Sequence, residues 1–97
     1  MGALGAVRPA VKEGRGWLWA IGELAMTPSD LARWNISLMQ GSLLKPASLA
    51  AMTTSVRLSN GNLANYGAGL DVRVVNGKRV WSHGGAVSGY LANNAIY

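Results

Sequence analysis

The sequence predicts an α+β fold in which two helices precede a set of antiparallel strands. Two observations support this prediction. Leu31, Trp34 and Leu38 recur at the spacing of one helix face, whereas apolar and polar residues alternate from Leu70 onward. The pair Asn76-Gly77 separates two alternating runs, which is a strong signal for a hairpin. At 97 residues, the chain is long enough for one domain at most.

Composition excludes several classes of protein. The sequence is 49% apolar and 13% charged, which excludes an intrinsically disordered chain. It has no cysteine, so it is neither a disulfide scaffold nor a thiolate metal site. The one His and four acidic residues show no ligand spacing, and we expect no metal and no cofactor. No apolar run approaches the length of a membrane span, and no secretion signal is recognisable, which leaves the compartment open.

The net charge of +5 comes from nine Lys and Arg residues scattered along the chain. Proteins that bind nucleic acids usually concentrate such residues on one stripe or helix face. We therefore expect a solvated basic surface and no nucleic-acid partner. Salt-sensitive binding to DNA would be the signature of the lower-ranked alternative.

The N-terminal part shows little periodicity. Residues 1–15 contain Gly, Pro and charged residues without a clear period, which predicts a loop or loose terminus. Residues 16–22 form a short apolar run between glycines, whose length and Trp content favour a buried strand or extended segment.

A helix is predicted over residues 28–40. Thr27 can cap its free amides, Pro28 suits the first helical position, and Gly41 supplies a left-handed stop. We expect Trp34, on the apolar stripe, to lie in the core rather than to line a ligand cleft. A shorter helix is predicted over residues 46–52, followed by a connecting loop over residues 53–65.

The C-terminal third predicts antiparallel strands. A two-residue turn at 76–77 pairs Val75 with Lys78, Val72 with Trp81 and Leu70 with His83. Residues 90–97 predict a third strand, which stops without a turn or cap. Such a strand would expose unpaired backbone and an apolar face, and we expect the chain to be a piece of a larger fold.

The stretch His83-Gly84-Gly85-Ala86 contains the most chemically informative residues. His83 is the only side chain of this sequence that titrates near neutral pH, and adjacent glycines let the backbone approach another group closely. Amides freed beside such glycines can face an oxyanion. The alternative is a Gly-rich turn whose His is simply hydrogen-bonded.

Four segments, in this order, resemble the β-lactamase-related serine hydrolases, which include class C β-lactamases, penicillin-binding-protein-like peptidases and related esterases. They are GELAMTPSDLARW (22–34), LLKPASL (43–49), YGAGL (66–70) and HGGAVSGY (83–90). The resemblance implies the C-terminal part of a β-lactamase/transpeptidase-like fold. It covers the chain from about residue 16 to its end, which makes residues 1–97 a partial domain.

The resemblance implies a mechanism for the intact enzyme. A Ser in a Ser-x-x-Lys motif attacks an acyl carbon, while the Lys and a Tyr or Ser move protons. His83 corresponds to the first residue of the Lys-Thr-Gly or His-x-Gly motif, and is implied to be catalytic. Gly84 and Gly85 correspond to the rest of that motif, on the substrate-binding side. The amide of Ala86 corresponds to an oxyanion-hole donor. His in place of Lys is common in the esterase-like and peptidase-like branches.

The nucleophile is expected elsewhere. Ser42-Leu43-Leu44-Lys45 spells Ser-x-x-Lys, but Ser42 follows a helix-ending Gly and Lys45 precedes Pro46, which disfavours the helical conformation that would align the two side chains. No Tyr-x-Asn or Ser-x-Asn occurs.

We therefore expect a fragment of a serine hydrolase acting on amide or ester bonds, inactive alone, with a small-molecule or peptide substrate only in the intact enzyme. We expect neither a nucleic-acid nor a membrane partner. Intact family members are often periplasmic or secreted. The alternative is a small non-enzymatic binding or assembly module that self-associates through its exposed sheet edge.

Overall fold

The computed structural model describes residues 4–97, so the first three residues of the predicted loose terminus lie outside it. Residues 4–13 have no regular secondary structure. Two α-helices are followed by three strands, which confirms the α+β class. The elements are a 3-10 turn Trp19–Ile21, α1 Pro28–Met39, α2 Pro46–Thr53, β1 Asp71–Val75, β2 Lys78–Val87 and β3 Tyr90–Ile96.

Helix α1 begins as its capping residues predict. The Oγ1 atom of Thr27 accepts a hydrogen bond from the Asp30 amide at 3.2 Å, and Pro28 occupies the first turn. The helix ends at Met39, one residue before the predicted end, and Gly41 follows with φ +75°. Helix α2 is one residue longer than predicted and ends at Thr53.

The three strands form one antiparallel sheet in the order β1-β2-β3. Asn76 and Gly77 both have positive φ, +50° and +75°, and the predicted pairs Val75–Lys78 and Val72–Trp81 are present. The β1–β2 ladder ends at Asp71–Ser82, so the predicted pairing of Leu70 with His83 is wrong. The carbonyl of Leu70 instead accepts from the Gly67 amide at 2.8 Å.

The prediction of a buried strand over residues 16–22 is wrong. Trp19–Ile21 is a 3-10 turn, and the large apolar side chains of the segment, Trp17, Trp19 and Ile21, are exposed. The Ile21 amide bonds locally to the Leu18 carbonyl at 2.9 Å. No strand of residues 4–97 pairs with the segment, and without a partner its apolar side chains have nothing to pack against.

The core within residues 4–97 is small, because only Leu38, Leu70 and Val80 are buried apolar residues. Trp34 is 51% exposed, so its predicted core position is wrong. It lines a shallow apolar depression with residues of its own helix and of the preceding loop, among them Leu24.

Polar contacts connect the helices to the sheet. Asn35 on α1 and Asn94 on β3 exchange amide hydrogen bonds of 2.7 and 2.8 Å. The Trp81 indole donates to the carbonyl of Thr53, at the end of α2, at 3.0 Å. Over the described part of the chain, no helix is long and apolar enough to cross a membrane.

Candidate functional site

Strand β2 carries His83 at the point where one of its two neighbours ends. β1 pairs with β2 from Lys78 to Ser82, whereas β3 pairs with it from Trp81 to Val87. On the β1 side, β2 therefore has no strand partner from His83 to Val87 within the described residues. We call residues 83–87 the open edge of β2.

The register determines which backbone groups face this open edge. Two-residue turns close on the pairs Val75–Lys78 and Val87–Tyr90, and the closing residues of such turns are hydrogen-bonded to each other. Hydrogen-bonded pairs alternate with non-hydrogen-bonded pairs along an antiparallel ladder. The residues of β2 that bond to β3 are therefore Val87, Gly85 and His83, and the amide and carbonyl groups of Gly84 and Ala86 between them point away from β3. They form no hydrogen bond with any other group of residues 4–97.

Within the described residues, neither packing nor backbone conformation requires a glycine at position 84 or 85. A Cβ atom at Gly84 would lie 3.7 Å from the carbonyl oxygen of Ala92, an ordinary contact, and one at Gly85 would meet nothing within 4 Å. Neither residue has a left-handed φ. The missing side chains leave the exposed strand accessible to another molecule or chain segment.

His83 is held by a residue that the sequence reasoning missed. Its Nε2 atom lies 2.9 Å from the Tyr66 hydroxyl, and the two rings meet edge to face at 64°, with centroids 6.1 Å apart. The sequence pointed to Tyr66 only through its place in the segment YGAGL (66–70), which resembles the serine hydrolases. The salt bridges of the described residues, Asp30–Arg33 and Asp71–Arg73, do not involve His83.

An open groove of about 1250 Å³ runs along this part of the sheet. His83, Gly84, Gly85 and Ala86 line it together with the N-terminal segment over residues 8–13. Glu13 accepts a hydrogen bond from the Ser88 amide at 3.1 Å, which attaches this segment to the β2–β3 turn. Drug-sized ligands occupy pockets of about 300–1000 Å³, so the groove has room for one.

Ser42 and Lys45 are not brought together as a catalytic pair. The Ser42 hydroxyl donates to the Ser37 carbonyl at 2.9 Å, on the last turn of α1. Lys45 has extended backbone, with φ −62° and ψ 149°, and precedes α2. No hydrogen bond joins the two side chains or links either to His83 in the described structure. Among the same residues, no three His, Asp or Glu side chains form a possible metal site.

Comparison with protein-family models matches residues 2–97 to the family described as Beta-lactamase. The chain belongs to this family. The match covers both helices and the whole sheet, and the helix-then-strand order of the β-lactamase-family chain fits it. Searches of curated proteins and of solved structures returned no match. The chain is thus a serine-hydrolase-like fragment of α+β class.

Proposed function

We propose that the open edge of β2 is one wall of the acyl-binding cleft of a serine hydrolase that acts on amide or ester bonds. The observation that supports this most strongly is the pair of outward-facing amides at Gly84 and Ala86, next to His83. Preorganised backbone donors stabilise the charge that develops on an acyl oxygen during attack. An extended substrate can also hydrogen-bond along such an edge.

Each residue has a defined role in this proposal. The Ala86 amide donates to the acyl oxygen, and Gly84 and Gly85 leave room for the substrate backbone. The His83 imidazole offers a hydrogen-bonding group beside the acyl oxygen. The nucleophile comes from outside these residues. Among the described serines, no hydroxyl is hydrogen-bonded to a Lys, His or Tyr side chain, the partner that an acyl-transfer nucleophile needs.

The exposed apolar surface supports the proposal that these residues form part of a larger domain. Large apolar side chains such as Trp17, Trp19 and Leu24 are exposed, and few apolar residues are buried. A stable domain of this size normally buries most of its apolar side chains. In the proposal, residues 1–97 pack these side chains against the remainder of the hydrolase. The substrate is a small molecule or peptide, with no nucleic-acid or membrane partner.

Two measurements on the chain test this function. Turnover of nitrocefin and of p-nitrophenyl acetate is expected to be absent. In amide NMR spectra, nitrocefin is expected to shift the resonances of Gly84 and Ala86 first. Ala86→Pro removes the outward amide without removing a ladder bond, and should weaken binding about two- to tenfold, since a net hydrogen bond to a neutral carbonyl is worth about 0.5–1.5 kcal/mol.

Ala86→Ser is the matched control, because it keeps the amide and should bind nitrocefin like the parent chain. Equal binding by Ala86→Pro would contradict the role of this amide. A burst of product that disappears in Ser42→Ala would place the nucleophile within the chain and overturn the proposal.

A second candidate function is a non-enzymatic assembly module. It is favoured by β3, whose outer edge has no strand partner within residues 4–97 and whose seven residues include no charge. Leu91 on this strand is 88% exposed. Unprotected edge strands of this kind pair with other chains. Size-exclusion chromatography with light scattering distinguishes a concentration-dependent dimer from a monomer.

A further inference from the structure

We propose that Tyr66 is a positioning residue for His83, which it holds through the Nε2 atom so that Nδ1 is the nitrogen available to a substrate. This inference rests on the proposed function of the open edge and assigns a role to a residue outside it. Its starting point is the 2.9 Å contact between the Tyr66 hydroxyl and Nε2. Among the described residues, no group is hydrogen-bonded to Nδ1.

The backbone around Tyr66 is fixed on both sides. Its carbonyl accepts from the Val56 amide at 2.8 Å, and the Ala68 amide donates to the Ala51 carbonyl at 2.9 Å. Gly67 is buried against the end of α2, where a Cβ atom would overlap the carbonyl oxygen of Met52. These contacts set the direction from which the Tyr66 ring approaches β2.

The backbone of His83 is fixed independently. His83 pairs with Asn94 on β3, and Asn94 exchanges amide hydrogen bonds with Asn35 on α1. Directly opposed residues of an antiparallel pair place their side chains on the same face. His83 therefore has a defined position, and the remaining freedom is rotation of its imidazole ring, which the Tyr66 hydroxyl restricts.

The hydrogen bond also selects a tautomer. In a neutral imidazole one ring nitrogen carries the proton and the other accepts. The Tyr66 hydroxyl either donates to an unprotonated Nε2 or accepts from a protonated one, and the second nitrogen takes the complementary role. The direction of the Tyr66 bond thus sets whether His83 presents a donor or an acceptor in the groove that Gly84 and Ala86 also line.

The test uses ¹⁵N NMR of the imidazole, which is unambiguous because His83 is the only histidine. In the unmodified chain, the two ring-nitrogen shifts should show a tautomer ratio unlike that of free histidine. An NOE should join the Tyr66 ring protons to the His83 ring. Tyr66→Phe keeps the aromatic ring and removes the hydroxyl, and should move the ratio by roughly fivefold toward the free value, as expected for one hydrogen bond.

Tyr90→Phe is the matched control, because Tyr90 is 76% exposed and pairs on β3 with Val87, the last residue of β2. It should leave the ratio unchanged, and far-UV circular dichroism should show both variants folded like the parent chain. Free-histidine shifts or a missing NOE in the parent chain would overturn the proposal, whether or not either variant folds. An unchanged ratio in Tyr66→Phe would also overturn it.

These outcomes are separable from those of the proposed function. The ring-nitrogen readout needs no substrate and no turnover. A tautomer change in Tyr66→Phe without nitrocefin shifts at Gly84 and Ala86 would support the positioning contact and refute the acyl-binding wall. Nitrocefin shifts at Gly84 and Ala86, together with an unchanged tautomer ratio in Tyr66→Phe, would support the acyl-binding wall and refute the positioning contact.

Discussion

Replacing Gly67 by Ala tests how the loop before β1 is held against α2. Gly67 is buried, and its backbone passes directly over the last turn of that helix. An added Cβ atom would overlap the Met52 carbonyl oxygen and lie 2.8 Å from the carbonyl carbon and 3.0 Å from the Ala51 oxygen. All three contacts are with backbone, which cannot move aside by a side-chain rotation.

The expected net loss of folding stability in Gly67→Ala follows from two opposing effects. Overpacking a closely packed site destabilises a fold by about 1–3 kcal/mol. Replacing Gly by Ala also restricts the unfolded chain, which stabilises the fold by about 0.4–1 kcal/mol. Gly67 has no left-handed φ, so no further conformational strain is added. We expect a net loss of about 1.5 kcal/mol, roughly a tenfold fall in the ratio of folded to unfolded chain.

The measurement is urea unfolding followed by tryptophan fluorescence. Trp81 reports on the site, because its indole donates to the Thr53 carbonyl one residue beyond the crowded Met52. Gly14→Ala is the matched control, since a Cβ atom there would meet nothing within 4 Å and the residue has no left-handed φ. An unfolding midpoint for Gly67→Ala equal to that of Gly14→Ala would refute the reasoning from close approach.

Three further predictions concern other parts of the fold. Asn35→Ala leaves the half-buried Asn94 side-chain amide without its hydrogen-bond partner. In a double-mutant cycle, the stability losses of Asn35→Ala and Asn94→Ala should therefore add up to about 1 kcal/mol more than the loss of the double variant. Additive losses would show that the pair is not coupled. Thr27→Ala removes the cap of α1 and should reduce stability by about 1 kcal/mol in urea unfolding. Thr54→Ala, at the exposed C-terminal end of α2, should change stability little, and equal effects of the two substitutions would argue against capping. Leu91→Lys should lower self-association in light scattering without changing the circular dichroism spectrum, and a parent chain that stays monomeric at every concentration would rule out pairing through β3.

The candidate site was only partly predictable from the sequence. His83, Gly84, Gly85 and Ala86 stand out because a titratable side chain precedes two glycines on an alternating segment. The partner of His83 does not stand out, because Tyr66 is 17 positions away and lies in a loop. The sequence also predicted a buried segment at Trp17 and Trp19, and both side chains are exposed. An apolar run indicates burial only when another element covers it.

The sequence by itself determined the local structure. Thr27, Pro28 and Gly41 delimit α1, and Asn76-Gly77 sets the register of β1 against β2, because caps and turns depend on residues within about four positions. Only the tertiary structure decided which side of β2 stays open and which side chains meet there. The Asn35–Asn94 contact spans 59 positions, and it forms because packing brings α1 against the sheet. No local pattern records such a contact, since its partners are chosen by the path of the whole chain.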